Sequence, residues 1–330
     1  MRAALYDRPG PARDVLRVAE VDRPEPGEGQ VRVRLQLSGV NPTDWKTRSG
    51  ATPRPIETFQ IPNQDGAGVI DAVGEGVDAS RVGQRVWVWF AALGQPWGTA
   101  AEWTVVPEER AVHLPDAVTM EHGASLGVPA MTAHRCLFAD GPLDGRSVLV
   151  AGGAGAVGHF AIELAKFAGA RVVTTVSSEE KAELAYRAGA DLVVDYLADD
   201  AVDQIWAFAK PVDRIIEVAL RTNLLLDLEV SGPQTVVSVY AADGPDPLLP
   251  VRACMTANIS MHFVQLYGLP ALALQQASRD VTAALEYGAL SGLPIHRFPL
   301  EDIAAAHDAV ESHVVGKVVI ELTASEDTTF

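Results

Sequence analysis

Three glycines with the spacing Gly153-x-Gly155-x-x-Gly158 stand between an apolar run and a helical pattern. Glycines here allow backbone amides to approach a pyrophosphate closely, and the following helix offers the partial positive charge of its N-terminus. The spacing alone is weak evidence, because tight turns between strand and helix often contain glycine. Since the flanking patterns have the required types, the turn predicts a dinucleotide site, with contacts from Ala154, Gly155, Ala156 and Val157.

A buried strand and an amphipathic helix must position this turn. Ser147–Ala151 is a short apolar run, which is typical of a parallel strand. From Val157 to Ala168, apolar residues recur with helical spacing and form one face. Further apolar runs, spaced by helical stretches, follow at residues 170–176, 189–196, 213–219, 234–240 and 258–267. This alternation predicts an α/β fold with a Rossmann, doubly wound parallel sheet.

The overall composition excludes several function classes. A formal net charge of −17 repels phosphate backbones, so nucleic-acid binding is not expected as a main role. The two cysteines, Cys136 and Cys254, allow neither a disulfide framework nor a cysteine-rich zinc site. The first residues lack the apolar core of a signal peptide, and no run of 18 apolar residues occurs. We therefore expect a cytoplasmic protein without membrane association.

The first 120 or so residues follow a different pattern. Residues 31–37 alternate strictly between apolar and polar, as a half-buried antiparallel strand does. Residues 69–73 and 85–90 are further short strands, separated by Gly74, Gly76 and Gly83. The pattern predicts a small, β-rich barrel that forms a domain distinct from the parallel sheet.

Four ordered segments carry a family resemblance. They are SGVNPTDWKTRSG at 38–50, IPNQDGAGVIDAVGEGV at 61–77, VGQRVW at 82–87 and LGVPAMTAH at 126–134. Together they resemble the medium-chain dehydrogenase/reductase superfamily, specifically its zinc-free quinone oxidoreductase (zeta-crystallin-like) branch. The resemblance extends over essentially the whole chain, to GKVVIEL at 316–322.

This resemblance implies two domains. A GroES-like, β-rich catalytic domain would comprise residues 1–123 and 269–330, and a Rossmann cofactor domain would occupy residues 124–268, with the active site in the cleft between them. Within the last segment, the sequence patterns predict helices at 280–289 and 298–310, and a frayed polar end at 323–330.

The resemblance also bears on metal binding. Zinc-dependent members of the superfamily place two cysteines and a histidine on the catalytic metal, and the matching positions here are Asn41, Gln64 and Val128. An apolar side chain cannot bind zinc, and amides replace thiolate and imidazole poorly. The cysteine-rich lobe of those enzymes is also missing. We expect catalysis without a metal.

The residues after the second parallel strand distinguish the two nicotinamide cofactors. A fold that prefers NAD normally carries an acid there, which binds the ribose 2′-hydroxyl. This chain has Ser177 and Ser178 instead, and Ser177 with Glu180 also fits a helix capping box. By resemblance, Lys181, Tyr196 and Lys317 fall where NADPH-using relatives hold the 2′-phosphate. We predict NADPH, although Glu179 and Glu180 lie only slightly further along.

The nicotinamide half of the cofactor should lie beyond the carboxyl ends of the later strands. The resemblance implies contacts there from Val239, Tyr240, Gln265, Leu266 and Tyr267. It also implies that Thr132 borders the nicotinamide. The alternatives are ordinary aromatic packing for the two tyrosines and a helix residue facing its own backbone for Thr132.

Two residues are candidates for catalysis in the loop that lines the active site of the family. Asn41 can donate an amide N–H, and Lys46 can place a cation near the ribose or a developing oxyanion. Asp44, two residues before Lys46, can pair with it and hold the ammonium in the cleft. Alternatively, Lys46 is a solvated surface residue. Many relatives carry tyrosine at the position of Lys46. This difference bears more on which substrate is expected than on which reaction type.

The sequence thus predicts an NADPH-dependent reductase that transfers hydride to a quinone. A reductase of activated C=C bonds, such as those of enones, is the alternative within the enzyme class, and an NADPH-binding structural protein is the alternative outside it. We also predict a homodimer, because residues 258–267 resemble the last strand of the sheet, and an unpaired edge invites pairing about a twofold axis.

Overall fold

The computed structural model describes residues 1–242 and 244–322, which form two compact units. The first unit consists of Met1–Val128 and the described chain from Pro294 onward. The second unit is Pro129–Leu293.

The first unit begins with a series of antiparallel strands. Its strands up to the first boundary are β1 (Arg2–Leu5), β2 (Arg17–Glu20), β3 (Gln30–Val40), β4 (Asp65–Val73), β5 (Arg85–Val88), β6 (Trp103–Pro107) and β7 (Ala111–His113). Its helices are α1 (Ala12–Val15), α2 (Pro42–Ser49) and α3 (Met120–Phe138), and α3 contains the boundary. In β3, Val31, Val33 and Leu35 are buried as the alternation predicts, and Arg32 is buried because its guanidinium donates to Asp71.

The second unit contains a six-stranded sheet in which every neighbouring pair is parallel. Its strands are β8 (Ser147–Ala151), β9 (Arg171–Val176), β10 (Leu192–Asp195), β11 (Arg214–Glu217), β12 (Val236–Val239) and β13 (Ser260–Phe263). Its further helices are α4 (Ala156–Phe167), α5 (Glu179–Arg187), α6 (Ala201–Phe208), α7 (Leu220–Val230), α8 (Val251–Ala257) and α9 (Ala271–Glu286). The order β10-β9-β8-β11-β12-β13 leaves β10 and β13 at the two edges. The predicted Rossmann sheet is confirmed.

The end of the chain returns to the first unit. It adds β14 (Ile295–Pro299), α10 (Ile303–Glu311) and β15 (Lys317–Glu321). The completed sheet has the order β14-β15-β3-β4-β5-β7, with β6 paired to β3. Strand β15 pairs antiparallel with the end of β3, which brings Lys317 beside the start of α2.

The second domain boundary differs from the one that the sequence predicts. Helix α9 belongs to the second unit, whereas the predicted boundary at residues 268/269 assigned it to the catalytic domain. Side-chain contacts explain the difference: His134 of α3 bonds to Asp280 of α9 at 2.8 Å, and the Glu163 carboxylate of α4 accepts the backbone N–H of Ser291. These contacts attach the segment to the parallel-sheet unit. Only the part from Pro294 onward returns to the first unit.

Two further predictions concern membranes and the chain end. Within the described residues, no helix is long and apolar enough to cross a membrane. The polar end, 323–330, for which the sequence predicts fraying, lies outside the described residues.

Candidate active site

Packing on two sides shapes the glycine turn after β8. A Cβ at Gly153 would lie 2.2 Å from Oγ1 of Thr174, and one at Gly158 would lie 2.3 Å from the Gly152 carbonyl oxygen. Both positions therefore require glycine. By contrast, Gly155 is exposed and precedes α4, and a Cβ there would approach no atom closer than 3.4 Å. The turn joins strand to helix tightly while the backbone around Gly155 stays open.

The open backbone presents amide donors. The first N–H groups of a helix lack an intrahelical acceptor, which applies here to Ala156 and Val157 at the start of α4. The N–H of Gly155 itself donates to the Gly152 carbonyl at 3.0 Å and is therefore already used. Ala156 and Val157 are half-buried, and Ala154 is buried in the turn. These residues fit a pyrophosphate, which the helix N-terminus would favour.

A second polar group, the edge cluster of Ser177, Lys181 and Tyr196, lies at the carboxyl ends of β9 and β10. Lys181 Nζ donates to Ser177 Oγ at 2.9 Å. Tyr196 directly follows β10, its N–H donates to the Val176 carbonyl, and its side chain is exposed. The structure thus brings these three predicted residues together. One ammonium and two hydroxyl groups suit a phosphate monoester.

The helix cap beside this cluster differs from the predicted one. Ser178, rather than Ser177, caps α5, and its Oγ accepts the backbone N–H of Lys181. Ser178 is the residue with extended backbone immediately before the helix, which is the geometry that capping requires. The Ser177 hydroxyl therefore remains beside the ammonium of Lys181 and is not used for capping.

Lys317 does not belong to the edge cluster. It lies at the start of β15 in the first unit, and its side chain is buried, with Nζ donating to Asn41 Oδ1. A lysine enclosed in this way is unavailable to a phosphate, so the structure corrects its assignment as a phosphate ligand.

The predicted nicotinamide residues follow the later strands. Val239 ends β12 and is buried, and the N–H of Tyr240 donates to the Glu217 carbonyl at 3.1 Å. Burial raises the pKa of the Tyr240 hydroxyl above its usual value, so it stays neutral. Gln265 is exposed, whereas Leu266 is buried and offers a ligand only its backbone. Because the sheet is parallel, these residues and the glycine turn lie at the same end of the sheet, where the carboxyl ends of its strands are. Their contact with a cofactor stays a prediction.

Thr132 and Tyr267 are the two remaining residues predicted to contact the cofactor. Thr132 is buried within α3, in keeping with either of its two interpretations. Tyr267 is half-buried in a short 3-10 turn, Leu266–Gly268.

In the first unit, Asn41 is the centre of a buried polar network. It precedes α2, and its backbone N–H donates to Asp44 Oδ2 at 2.7 Å in a capping box. Its side-chain amide donates to Asp65 Oδ2 at 2.7 Å and accepts from Lys317 Nζ. Asp65 Oδ2 also accepts the N–H of Val128. Asn41 therefore holds the network together, and its predicted role as a donor to the substrate stays a prediction.

The network, which we call the buried triad, contains the ionisable groups Asp44, Asp65 and Lys317. Burial, reinforced by the charge of Asp65, raises the pKa of Asp44 to about 8. Burial also raises the pKa of Asp65 to about 6, against the opposing effects of Lys317 and Asn41. Burial lowers the pKa of Lys317, and the two carboxylates oppose that change. Their different surroundings therefore give the two carboxyl groups different affinities for a proton.

Lys46 lies outside this network. Its side chain is half-buried, with Nζ 5.8 Å from the ring centroid of Trp45. The predicted pair with Asp44 is not among the ion pairs of the described residues, because Asp44 turns back towards the helix N-terminus. Residues two apart on a helix also point in different directions. The prediction of this pair is wrong.

The positions that match zinc ligands in relatives have other surroundings here. Gln64 is buried, and Val128 contributes only its backbone N–H, to Asp65. Nearby, His307 bonds to Asn63 Oδ1 at 3.0 Å, and burial lowers the pKa of His307 to about 3. Within the described part of the chain, no group of three or more His, Cys, Asp or Glu side chains could hold a metal.

A small cavity of the first unit adjoins the buried triad. Its lining comprises residues with polar side chains, Tyr6, Asp44, Thr47, Arg54, Gln60, Asn63 and Gln64, together with Pro62 and Ala92. Two buried oxygens of this lining, Asp44 Oδ1 and Gln64 Oε1, have no hydrogen-bond partner within the described structure. Buried oxygens of this kind are normally paired, so the cavity is suited to a ligand that supplies donors or accepts a proton.

The buried triad is not predictable from local sequence patterns, because its members lie far apart in the chain. The Asn41-x-x-Asp44 spacing does resemble a capping box and could have predicted the contact between those two residues. Nothing local indicates that β15 delivers Lys317 to the same place.

Comparison with known proteins agrees with this architecture. Residues 27–116 match the family model of the alcohol dehydrogenase GroES-like domain, and residues 156–283 match that of zinc-binding dehydrogenases. A quinone oxidoreductase from Lama guanicoe is 33% identical over 313 residues, covering 93% of each chain. A 2-haloacrylate reductase from a Burkholderia species is 29% identical, covering 97% of this chain and 98% of the relative.

A solved structure gives the same result. A mycobacterial protein complexed with NADPH is 29% identical, with a TM-score of 0.84 over 97% of this chain and 100% of that one. Similarity of this extent, with 33% identity to the Lama guanicoe enzyme, means that the chain belongs to the quinone oxidoreductase branch of the medium-chain dehydrogenase/reductase superfamily.

Proposed function

We propose that this protein is an NADPH-dependent reductase that uses a quinone as its acceptor. The edge cluster is the observation that supports NADPH as the cofactor. In this cluster Lys181 and Ser177 are hydrogen-bonded beside Tyr196, and no acid stands at the end of β9. The NADPH complex of the mycobacterial relative supports it. The quinone rests on the relatives named quinone oxidoreductase.

The chain's residues would divide the work between the two units. The backbone at Ala154–Val157 would bind the pyrophosphate, the edge cluster would bind the 2′-phosphate, and the segment from Val239 and Tyr240 to Gln265–Tyr267 would orient the nicotinamide. When bound, NADPH supplies a hydride to the acceptor. The polar cavity beside Asp44 and Gln64 would hold the acceptor's oxygen and stabilise the charge that develops on it.

We propose that this chemistry needs no metal. Asn41, which matches a zinc ligand in relatives, bonds through its side chain to Asp65 and Lys317. The ammonium of Lys317 then supplies a positive charge beside the two carboxyl groups. Metal analysis of the purified protein tests this: activity without bound zinc supports the proposal, and stoichiometric zinc with loss of activity in chelator contradicts it.

A reductase of activated C=C bonds is the second candidate. The similarity to a 2-haloacrylate reductase favours it, since its name describes reduction of an unsaturated acid. The same hydride geometry would serve both acceptors. The third candidate is an NADPH-binding protein without useful turnover. Such a protein would need the edge cluster and not the cavity.

One screen separates these functions. NADPH and NADH oxidation is measured with quinones, enones, 2-haloacrylates and aldehydes, and cofactor binding is measured separately. Highest kcat/KM with quinones and NADPH supports the proposal, and highest kcat/KM with enones or haloacrylates selects the second candidate. Tight NADPH binding without turnover of any acceptor selects the third. Absence of NADPH binding contradicts all three.

We also propose that the protein is a cytoplasmic homodimer formed through β13. This strand is at the edge of the sheet, and Phe263 at its end is 71% exposed. An exposed apolar edge favours pairing with a second copy. Sedimentation at micromolar concentration is expected to give a dimer, and Phe263→Lys is expected to give monomer. A monomeric wild-type protein contradicts the proposal.

A further inference from the structure

We propose that Asp44 carries a transferable proton on Oδ1 and delivers it to the oxygen anion that forms on the acceptor in the cavity of the first unit. The inference rests on the proposed reductase function. It assigns the proton donor, which neither the fold nor the hydride site identifies.

The two oxygens of Asp44 have different surroundings. Oδ2 accepts the N–H of Asn41 at 2.7 Å, as the carbonyl oxygen of a neutral acid can do. Oδ1 is buried, has no partner among the described residues, and belongs to the cavity lining. A neutral carboxylic acid in this arrangement has its O–H on Oδ1. The capping contact fixes the side chain, so the O–H is held at the cavity.

The charges around Asp44 favour retention of one proton. Two carboxyl groups and one ammonium are buried together, so full ionisation would leave an uncompensated negative charge. Asp65 is the better carboxylate, because the Asn41 amide and the Val128 N–H both donate to its Oδ2. Asp65 and Lys317 then balance each other, and the remaining proton stays on Asp44.

Other charged groups near Asp44 do not change this assignment. The Arg54 guanidinium, in the segment after α2, favours the ionised form, as Lys317 on β15 does. Burial and the charge of Asp65 on β4 outweigh both effects, so the pKa of Asp44 is raised to about 8. Tyr6, which follows β1, lines the same cavity as Asp44, and its hydroxyl stays neutral because burial and the charge of Asp44 raise its pKa to about 12. Arg48 on α2 pairs with Glu311.

The proposed transfer balances in atoms and electrons. The hydride from NADPH brings two electrons to the acceptor and leaves negative charge on its oxygen. The O–H bond of Asp44 breaks as a new O–H bond forms on that oxygen, so the acceptor gains one hydride and one proton. Asp44 is left as a carboxylate, and water restores its proton before the next turnover. An enolate needs the proton more than a hydroquinone anion, which is the weaker base.

Asp44→Asn tests the proposal, because asparagine keeps the shape and can still accept the Asn41 N–H but carries no acidic proton. Asp78→Asn is the matched control: Asp78 also caps a short helix, accepting the Ser80 N–H at 2.8 Å, and is exposed. General acid catalysis contributes about 10²- to 10⁴-fold, so we expect enone turnover to fall at least about a hundredfold in Asp44→Asn. Quinone turnover should fall less, and NADPH affinity should be unchanged.

The pH profile separates proton donation from a structural role. Wild-type enone turnover should decline above the pKa of Asp44, about 8, as the donor loses its proton. The residual turnover of Asp44→Asn should lack that decline, and Asp78→Asn should retain it. Unchanged turnover in Asp44→Asn, or an unchanged alkaline decline, would overturn the proposal.

Infrared spectroscopy of the cofactor-free protein provides a readout independent of activity. One component of the protonated-carboxyl band should be present at pH 7 and should disappear as pH rises through about 8. Asp44→Asn should lack this component, whereas Asp227→Asn, which removes another buried carboxyl group with a raised pKa, should retain it. If Asp44→Asn does not fold, the titration of Asp227→Asn still decides, because absence of a component that titrates near 8 in that variant overturns the proposal. If the wild type reduces no acceptor, the proposed function fails and the transfer step fails with it. The infrared result then reports separately on whether Asp44 holds a proton.

Discussion

Lys317 and Lys181 are both part of polar clusters at functional positions, but their surroundings differ. Lys317 is 3% exposed, donates to Asn41, and shares its surroundings with the carboxyl groups of Asp65 and Asp44. Lys181 is half-buried at the sheet edge of the other unit, where its Nζ bonds to the hydroxyl of Ser177. The carboxylate of Asp65 already balances the ammonium of Lys317. The ammonium of Lys181 has only a neutral partner in the edge cluster.

The difference separates a structural cation from a binding cation. A buried ammonium is stable only with compensating charge, and removing one partner of such a pair leaves an uncompensated charge behind. A half-exposed ammonium beside a hydroxyl can exchange water for a phosphate at low cost. We therefore expect substitutions of Lys317 to act mainly on folding stability and substitutions of Lys181 to act mainly on ligand affinity.

The largest expected effect is that of Lys317→Met. Removing the ammonium leaves Asp65 and Asp44 buried without a cation, which should lower the free energy of unfolding by about 3–5 kcal/mol at neutral pH. Without Lys317, the pKa of Asp65 rises further in the folded state, so the loss should shrink as pH falls towards 4. Urea denaturation at pH 5 and pH 7.5 measures both effects.

Lys166→Met is the control for this prediction. Lys166 also pairs with a carboxylate, that of Asp191, but the pair is partly exposed. Exposed pairs contribute about 0–1 kcal/mol, so this variant should change little. Equal losses in the two variants would contradict the distinction between a buried and an exposed cation.

Lys181→Ala tests the expectation that Lys181 acts mainly on ligand affinity. A hydrogen bond to a charged group contributes about 1.5–3 kcal/mol, so the dissociation constant for NADPH should rise about tenfold or more. The constant for NADH, which lacks the 2′-phosphate, should change little. Titration of the protein with each cofactor measures this.

Arg187→Ala provides the matched control, because it removes one positive charge from the same helix, where Arg187 is exposed and pairs with Glu183. NADPH affinity should be nearly unchanged in this variant. Equal weakening of NADPH and NADH binding in Lys181→Ala would mean that Lys181 only supports α5.

Lys181 and Lys317 also indicate which parts of the candidate site can be predicted from the sequence. The positions of Ser177 and Lys181 follow from the pattern after the second parallel strand, and the family resemblance implies Tyr196. The three residues meet because consecutive parallel strands end at the same end of a sheet. The grouping of Lys317 with Asn41 depends on the pairing of β15 with β3, whose residues are far apart in the chain. Strand positions are therefore predictable from hydrophobic pattern, but a buried ion network is not.

The predicted second domain boundary differs from the observed one for the same reason, because contacts between residues far apart in the chain decide it. The sequence predicts a helix at 280–289, whereas α9 is Ala271–Glu286. Nothing in the local pattern identifies the partner of this helix. The partner is decided by His134 on α3 and Glu163 on α4, which contact Asp280 and Ser291. Such contacts depend on side chains brought together by folding.

Asp227→Asn examines what buried carboxyl groups do without a cation. Asp227 of α7 is buried beside Glu217 at the end of β11, and burial, together with the charge of Glu217 and a hydrogen bond to it, raises the pKa of Asp227 well above its usual value. The folded state then holds a proton that the unfolded chain releases above pH 4. Stability should therefore fall with rising pH by about 1.4 kcal/mol per unit until the folded pKa is reached.

The variant should lack this contribution, because asparagine can donate to Glu217 at every pH. Between pH 5 and 7, its stability should increase relative to wild type by about 1.4 kcal/mol per unit. Asp203→Asn, an exposed change on α6, should show no such trend. A constant difference between Asp227→Asn and wild type would mean that Asp227 is ionised in the folded protein.

Lys46→Met has the smallest expected effect, because Lys46 belongs to neither kind of cluster. Its Nζ lies 5.8 Å from the Trp45 ring centroid, and its side chain is not part of the cavity lining. A cation over an aromatic ring at a partly exposed site contributes about 0.5–1 kcal/mol, so turnover should fall by no more than about fivefold. Lys210→Met removes a similar contact with Trp206 in the other unit and is the control.

The comparison between acceptors makes this test decisive. If Lys46 only packs on Trp45, quinone and enone turnover should change equally and NADPH affinity should not change. If the segment moves in solution so that the ammonium reaches a developing oxyanion, enone turnover should fall by about a hundredfold while the quinone suffers less. That outcome would show that Lys46 and Asp44 both act on the acceptor, one by charge and the other by its proton. The double variant with Asp44→Asn would then lose less than the sum of the two single losses.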